Sequence, residues 1–287
     1  TALDYARQGL EIVAEGGWQR DYGLTLALHE VTIQLLGVCG DWEGFKTLVQ
    51  AVLQEVTEPL DLVNIYQFRI QFETSKNNLG EALKLGKNFL NQLGLVLPSS
   101  PSDLEIDLEI SALQTLLQDR NIQDLKDLPP MNDRQKISIL EILTSLIPGA
   151  YVSGSPLFNL LVTLSVRYSI QYGNIVASSF AYACYGLMVC NRLQNFEQGR
   201  AFGDLALTIA AQPEYKVVRP KVYHVVTTFI SQRTQHIHDG LDRLQEAYSI
   251  GLEVGNLEFS GYAYQHFCWS MFCLGHPLAT LAKEINH

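Results

Sequence analysis

Positive charge is scarce in this sequence: Lys and Arg total 20 against 30 Asp and Glu, for a net charge of −10 and a pI near 5.1. An acidic chain with no cluster of Lys and Arg between aromatics is repelled by phosphate backbones and anionic lipid, which excludes nucleic acid and membranes as expected partners. Charge of either sign is sparse, 17% of residues against 47% apolar, and 287 residues of that composition suffice for a sizeable core. Cysteine is limited to Cys39, Cys184, Cys190, Cys268 and Cys273. An odd, unspaced set in apolar helical stretches is not a disulfide framework, so a reducing, cytoplasmic setting is expected. The first residues carry Asp4, Arg7 and Glu11 on a helical pattern and lack the basic start and apolar core of a signal peptide. Two uncharged stretches, 168–191 and 259–282, are long enough to span a bilayer. Gln171, Asn174, Ser178 and Ser179 in one, and Gln265, His266 and His276 in the other, are costly in hydrocarbon, and both are read as buried helices.

Catalytic signatures are missing too. A phosphate loop needs glycines that let backbone N–H groups cradle an anion, followed by Lys and a hydroxyl, and no Gly-x-x-x-x-Gly-Lys-Ser/Thr occurs. Neither His-Arg-Asp nor Asp-Phe-Gly is present, and the stretch nearest a nucleophile elbow, Gly149 to Ser155, follows no strand and reads as a loop between helices. No enzymatic activity, cofactor or metal is expected of the segment itself.

What is present is helical periodicity almost throughout, with nothing that reads as a sheet. The class is all-α, with helices expected near 2–15, 22–39, 42–56, 59–76, 79–94, 102–119, 134–152, 156–172, 175–193, 197–211, 217–235, 239–254, 257–274 and 277–285. Prolines fall mostly at junctions or first turns, while Pro148-Gly149, late in an apolar helix, predicts a kink or early stop. A turn signature recurs as Gly40-Asp41-Trp42-Glu43-Gly44 and Asn195-Phe196-Glu197-Gln198-Gly199. Small residues let antiparallel helices approach, Asp41 or Asn195 caps the next helix, and Trp42 or Phe196 fills the corner. The residues after the second copy, Arg200 to Leu207, resemble the tetratricopeptide pattern, and Ala2 to Leu10 repeats it without a first helix. Residues 1–15 are therefore expected to pack as the second helix of an incomplete repeat, with Gly9 at the position that touches a preceding helix and an apolar face left open around Tyr5 and Ile12. Hairpin starts near Tyr22, Glu58, Arg134, Asn174, Val217 and Asn256 recur about every 40 residues, which makes an irregular tetratricopeptide-like superhelix of helical hairpins the expected fold. The segment 118–133, Asp-rich with Pro129-Pro130, reads as a loop dividing the N-terminal hairpins (1–117) from the C-terminal ones (134–287).

Several stretches carry a family resemblance. Tyr22 to His29, Gly40 to Glu43, Asp127 to Met131, Phe180 to Gly186, Lys221 to Tyr223 and Gln245 to Glu253 resemble the helical region that follows the STAND-type ATPase module in multi-domain bacterial, especially cyanobacterial, signalling proteins. Those proteins join a serine/threonine kinase domain, the ATPase, this region, a GAF domain and often a histidine kinase. The resemblance implies a parent protein that binds ATP and transfers phosphate, with this segment as its interaction and regulatory module for signal transduction. Its expected partners are other domains of the same polypeptide or a separate protein.

Two clusters could carry chemistry. His266, Cys268, Cys273 and His276 have the residue types zinc prefers, but the spacing puts His266 and Cys273 on one face and Cys268 elsewhere, so a packed structural helix is expected. Cys184, Cys190, Cys268 and Cys273 are expected to be reduced and mostly buried. His236 and His238 are read as capping a helix C-terminus. Aromatic residues gather in the C-terminal half, where Tyr182, Tyr185, Tyr223, His224, Tyr262, His266 and Trp269 are the candidates for a ligand or partner surface on the concave side, set against simple core filling. The competing functional expectation is a sensor that holds a small-molecule inducer on that aromatic inner face.

Overall fold

A computed structural model describes residues 1–118 and 120–285, and among them there is no strand, only a single bridged pair, Pro130 with Asn174. The chain is all-α and built of antiparallel helical hairpins. Its contacts divide it into two units, Thr1–Pro98 with Pro148–Ser153, and Ser99–Ile147 with Gly154–His287.

The first unit holds α1 (Ala2–Val13), the short α2 (Gly17–Arg20), α3 (Tyr22–Cys39), α4 (Trp42–Glu55), α5 (Val63–Ser75) and α6 (Leu79–Gln92). The turn between α3 and α4 works as its sequence predicts. Gly40 ends α3 in the left-handed conformation (φ 73°), and Asp41 Oδ1 accepts from the Gly44 N–H at 3.0 Å while its other oxygen holds Arg7 at 2.8 Å. Trp42 meets Phe72 edge-on at 5.3 Å, and Phe72 stacks on Phe45 at 4.5 Å. One expectation changes. Gly9 touches the following helix, not a preceding one: a Cβ there would lie 2.9 Å from Leu28 Cδ2, so its missing side chain is what lets α3 lie against α1. Tyr5 and Ile12 stay exposed. α3 is long and apolar enough to cross a membrane, with a mean hydropathy of 1.2, although it was the two later stretches that stood out for lack of charge. It carries Glu30, which accepts a hydrogen bond from Asn64 at 3.0 Å, and packs on α1, α4 and α5.

The second unit contains α7 (Asp103–Leu117), α9 (Leu157–Tyr172), α10 (Val176–Arg192), α11 (Phe196–Ala210), α12 (Arg219–Val225), α13 (Leu241–Glu253), α14 (Leu257–Cys273) and α15 (Leu278–Ile285). Between α7 and α9, α8 (Arg134–Val152) continues through Pro148, so the expected early stop does not occur, and the division between units passes at that proline. The loop expected to divide the chain, 118–133, does not coincide with the division between the units. Within it Ile122–Asp127 forms a 3-10 turn that belongs to the second unit, and the boundary falls at Pro98. The reason is a set of long-range bonds: Gln123 Nε2 donates to the Ala201 carbonyl (3.1 Å), and Asn174 donates from its backbone to Pro129 (3.0 Å) and from Nδ2 to Leu125 (2.7 Å). Gly173 makes this approach possible, since at φ 107° any Cβ would collide with the Pro129 carbonyl.

Around α10 lies the densest packing. Every residue from Ser178 to Cys190 is buried, and Gly186 faces Gly199 so closely that a Cβ on either would fall within 2.8 Å of the other's carbonyl oxygen. The single helix expected over 217–235 is instead a 3-10 turn (Pro213–Val218), α12, a π-helical turn (Val226–Ile230) and a further 3-10 turn (Ser231–Arg233). Four β-branched residues in a row, Val225 to Thr228, occupy the point where the α-helix widens.

Candidate functional site

The structure splits the aromatic candidates into two groups. Tyr182 and Tyr185 are 0% exposed and Tyr223 is 8% exposed, so these three belong to the packing around α10 and α12 rather than to a surface. Tyr182 OH donates to Asn174 Oδ1 at 2.9 Å, tying α10 to the segment that also grips Leu125 and Pro129. Tyr185 meets Phe202 edge-on at 4.8 Å, and burial pushes its phenol up to about 12. His224, Tyr262 and His266 do come together, on α12 and α14: the His224 ring centroid lies 5.8 Å from Tyr262 and 4.9 Å from His266, with Phe229 and Phe259 closing its other edges. Trp269 stands one turn further along α14 and is 60% exposed.

The two histidines form a hydrogen-bonded pair whose polarity follows from its third member. His266 Nδ1 lies 2.9 Å from the Tyr262 carbonyl and 3.1 Å from His224 Nε2. A carbonyl only accepts, so Nδ1 of His266 carries the proton and His224 Nε2 accepts from it. His29 makes the same contact to the carbonyl four residues before it, at 2.7 Å. The proton of His224 is therefore on Nδ1, a buried atom with no hydrogen-bond partner among the described residues. Burial, reinforced by His266 alongside, depresses the His224 imidazole to about 3 and keeps it neutral.

Sequence reasoning missed two charged residues that lie against the neighbours of this pair, Lys221 at Phe259 and Glu258 at Tyr262. Lys221 Nζ sits 5.5 Å from the Phe180 ring and 5.6 Å from the Phe259 ring, and desolvation lowers its pKa despite the nearby Glu258. Glu258 is shifted upward by the same loss of water, against the pull of Lys221 and a hydrogen bond from Tyr262. Lys221 had been visible only as part of a family-like stretch, and nothing local marks Phe180 or Glu258 as its neighbours.

Next to the pair, α14 and α15 flank an open apolar groove of about 790 Å³, lined by Tyr264, Trp269, Phe272, Leu278, Leu281 and Ile285, with His266 and Cys268 also in its lining. α15 exists because Pro277 opens it and Leu278, Leu281 and Ile285 recur at helical spacing, so its apolar stripe faces α14. Trp269, Phe272, Leu278 and Ile285 are each more than half exposed, which is unusual for side chains of this size.

The cysteines divide unevenly. Cys184 and Cys190 are buried and reduced, with burial raising both thiols, but Cys268 is half-buried and Cys273 exposed, because α14 keeps one side open toward the groove and solvent. It is Cys268, not Cys273, that shares the groove lining with His266. No group of three or more His, Cys, Asp or Glu among the described residues is placed to hold a metal ion. His236 does not cap a C-terminus: its Nδ1 accepts from the His238 N–H at 3.3 Å at the start of a 3-10 turn, Ile237–Gly240. Comparison with known proteins finds no matching family model, curated protein or solved structure.

Proposed function

We propose that this chain is a non-catalytic helical-repeat regulatory module of a multi-domain, ATP-dependent signalling kinase, and that its regulatory input is an effector bound between α14 and α15. The family-like stretches quoted above support the setting. The observation that carries the binding site is the groove of about 790 Å³, whose volume and aromatic walls suit a small molecule and whose large apolar side chains stay open to solvent. α15 has only eight residues, so its position depends on packing against α14 more than on its own helix propensity. An effector that binds one placement of α15 more tightly than another shifts that equilibrium, and the flanking STAND ATPase and kinase domains, the expected partners in cis, read the shift.

Protein docking on the solenoid is the second reading. It is favoured by the exposed row Leu24, Val31 and Val38 on α3, spaced by seven residues as in a helix–helix seam. Screening the purified chain by ligand-observed NMR against a library of small apolar compounds tests the first reading. Binders displaced by Phe272→Asp and Leu281→Asp, in variants that keep their circular dichroism, are expected. Binders indifferent to both substitutions, or none in the library, would remove the groove as the regulatory site.

A further inference from the structure

Resting on that reading of the groove, we infer its ligand class: an apolar small molecule carrying a hydroxyl, a phenol or alcohol, which donates a hydrogen bond to Nε2 of His266. The inference follows from the bonding of the histidine pair. His266 Nδ1 is committed to the Tyr262 carbonyl at 2.9 Å and to His224 Nε2 at 3.1 Å. Its Nε2 has no hydrogen bond among the described side chains, and the ring lines the groove. In the neutral ring a proton fixed on Nδ1 leaves a lone pair on Nε2. The groove therefore offers an acceptor amid aromatic and aliphatic walls.

A hydroxyl satisfies that acceptor at little desolvation cost. A carboxylate brings a charge into apolar surroundings and meets lone pair with lone pair. His224 reinforces the choice, because it keeps no proton to pass to its neighbour: its imidazole is held neutral by burial and its own proton points away on Nδ1. Of the other polar groups nearby, Tyr262 and Glu258 are bonded to each other, and neither they nor Lys221 line the groove.

The test uses three probes of one shape, 2-naphthol, naphthalene and 2-naphthoate, titrated by calorimetry into the full chain and into His266→Phe and His266→Gln. Naphthol is expected to bind roughly tenfold more tightly than naphthalene and more tightly still than naphthoate. His266→Phe should erase that preference while leaving naphthalene binding intact. His266→Gln, whose amide oxygen still accepts, should restore part of it. Nitrogen-15 shifts of labelled histidine should show His266 protonated at Nδ1 in the free protein and Nε2 shifting with naphthol alone. Naphthoate binding as tightly as naphthol, or a hydroxyl preference that survives His266→Phe, would overturn the inference while leaving the groove as a binding site. Failure of all three probes to bind would overturn the groove reading as well.

Discussion

α3 and α10 differ by a single residue in length, 18 against 17, and both read as apolar helices, yet they have opposite fates. α10 buries an unbroken run from Ser178 to Cys190, whereas α3 buries Thr25, Thr32, Ile33 and Leu36 and exposes Leu24, Val31 and Val38. Hydropathy ranks them the wrong way, since α3 is the more apolar of the two; neighbours decide. α10 is met by α9, α11 and α12, and Gly186 and Gly199 let α11 come to backbone contact. α3 has two such close approaches, Gly9 under Leu28 and Gly17 against Thr25, both made to its side chains from the segment that precedes it and neither at the backbone. Apolarity sets how much a helix gains from burial, and matched small residues set whether other helices get close enough to deliver it.

The largest expected effect lies at the centre of α10's packing. Phe202 is fully buried and its ring meets both Tyr185 and Tyr182. Phe202→Ala should cost about 4 kcal/mol in urea unfolding, through lost transfer energy and the cavity left behind. A loss below about 1.5 kcal/mol would mean that α10 and α11 collapse around the gap, and the contrast with α3 would rest on less than shape.

A second effect, about half that size, comes from His224. Its unfolded value is near 6.5 and its folded value about 3, so between these the unfolded chain holds a proton that the folded chain refuses. Stability thus rises with pH across that window and falls as pH drops below 6.5. From pH 7 to pH 5 this one group should remove about 2 kcal/mol. Glu141 and Glu258, whose values burial raises, act in the opposite sense, so the measurement is the difference between the wild-type slope and that of His224→Gln. Equal slopes would show that water reaches His224 and that α12 and α14 are less tightly closed than α10 and α11.

Smaller again is the bond from Tyr182 to Asn174. Tyr182→Phe keeps the ring but leaves Asn174 Oδ1 without its donor, a loss of about 1.5 kcal/mol. Hydrogen exchange should show the loss concentrated in 121–131, the segment that Asn174 holds. Uniform loss along α10 would mean that the hydroxyl supports the helix and not the loop.

That segment also shows where reading the sequence stops. Helices and caps were legible because their causes are local: Asp41, Asn195 and Asn256 accept from the backbone three residues on, as side chains of that type before an apolar run do. The role of 121–131 was not, because Asn174 reaches it across about 50 residues and an Asn before a helix looks like any other turn residue. The π turn after α12 left the apolar pattern intact, so periodicity passed over it. Of the site, the types of His224, Tyr262 and His266 were legible and their meeting was not, since it depends on α12 and α14 lying side by side. Tyr182 and Tyr185 looked identical to them in sequence and went to the core because α11 covers them.

The smallest predicted effect is the sharpest test of the contrast between α3 and α10. Val31 and Ile33 are two residues apart on α3, but Val31 is 49% exposed and Ile33 is 0% exposed. Ile33→Ser removes a buried side chain and strands a hydroxyl, unless that hydroxyl turns to a backbone carbonyl as Thr32 does at 2.7 Å, so it should cost several kcal/mol. Val31→Ser changes a side chain that is half exposed among the described residues, so a change within about 0.5 kcal/mol is expected. If Val31→Ser instead costs more than about 1 kcal/mol, the outer face of α3 is covered in solution, and sedimentation at two concentrations decides by what. A cost that grows with protein concentration, together with a dimer that Val31→Ser dissociates, makes a second copy the cover. A cost independent of concentration places the cover within the chain itself, and the apparent openness of α3 relative to α10 disappears.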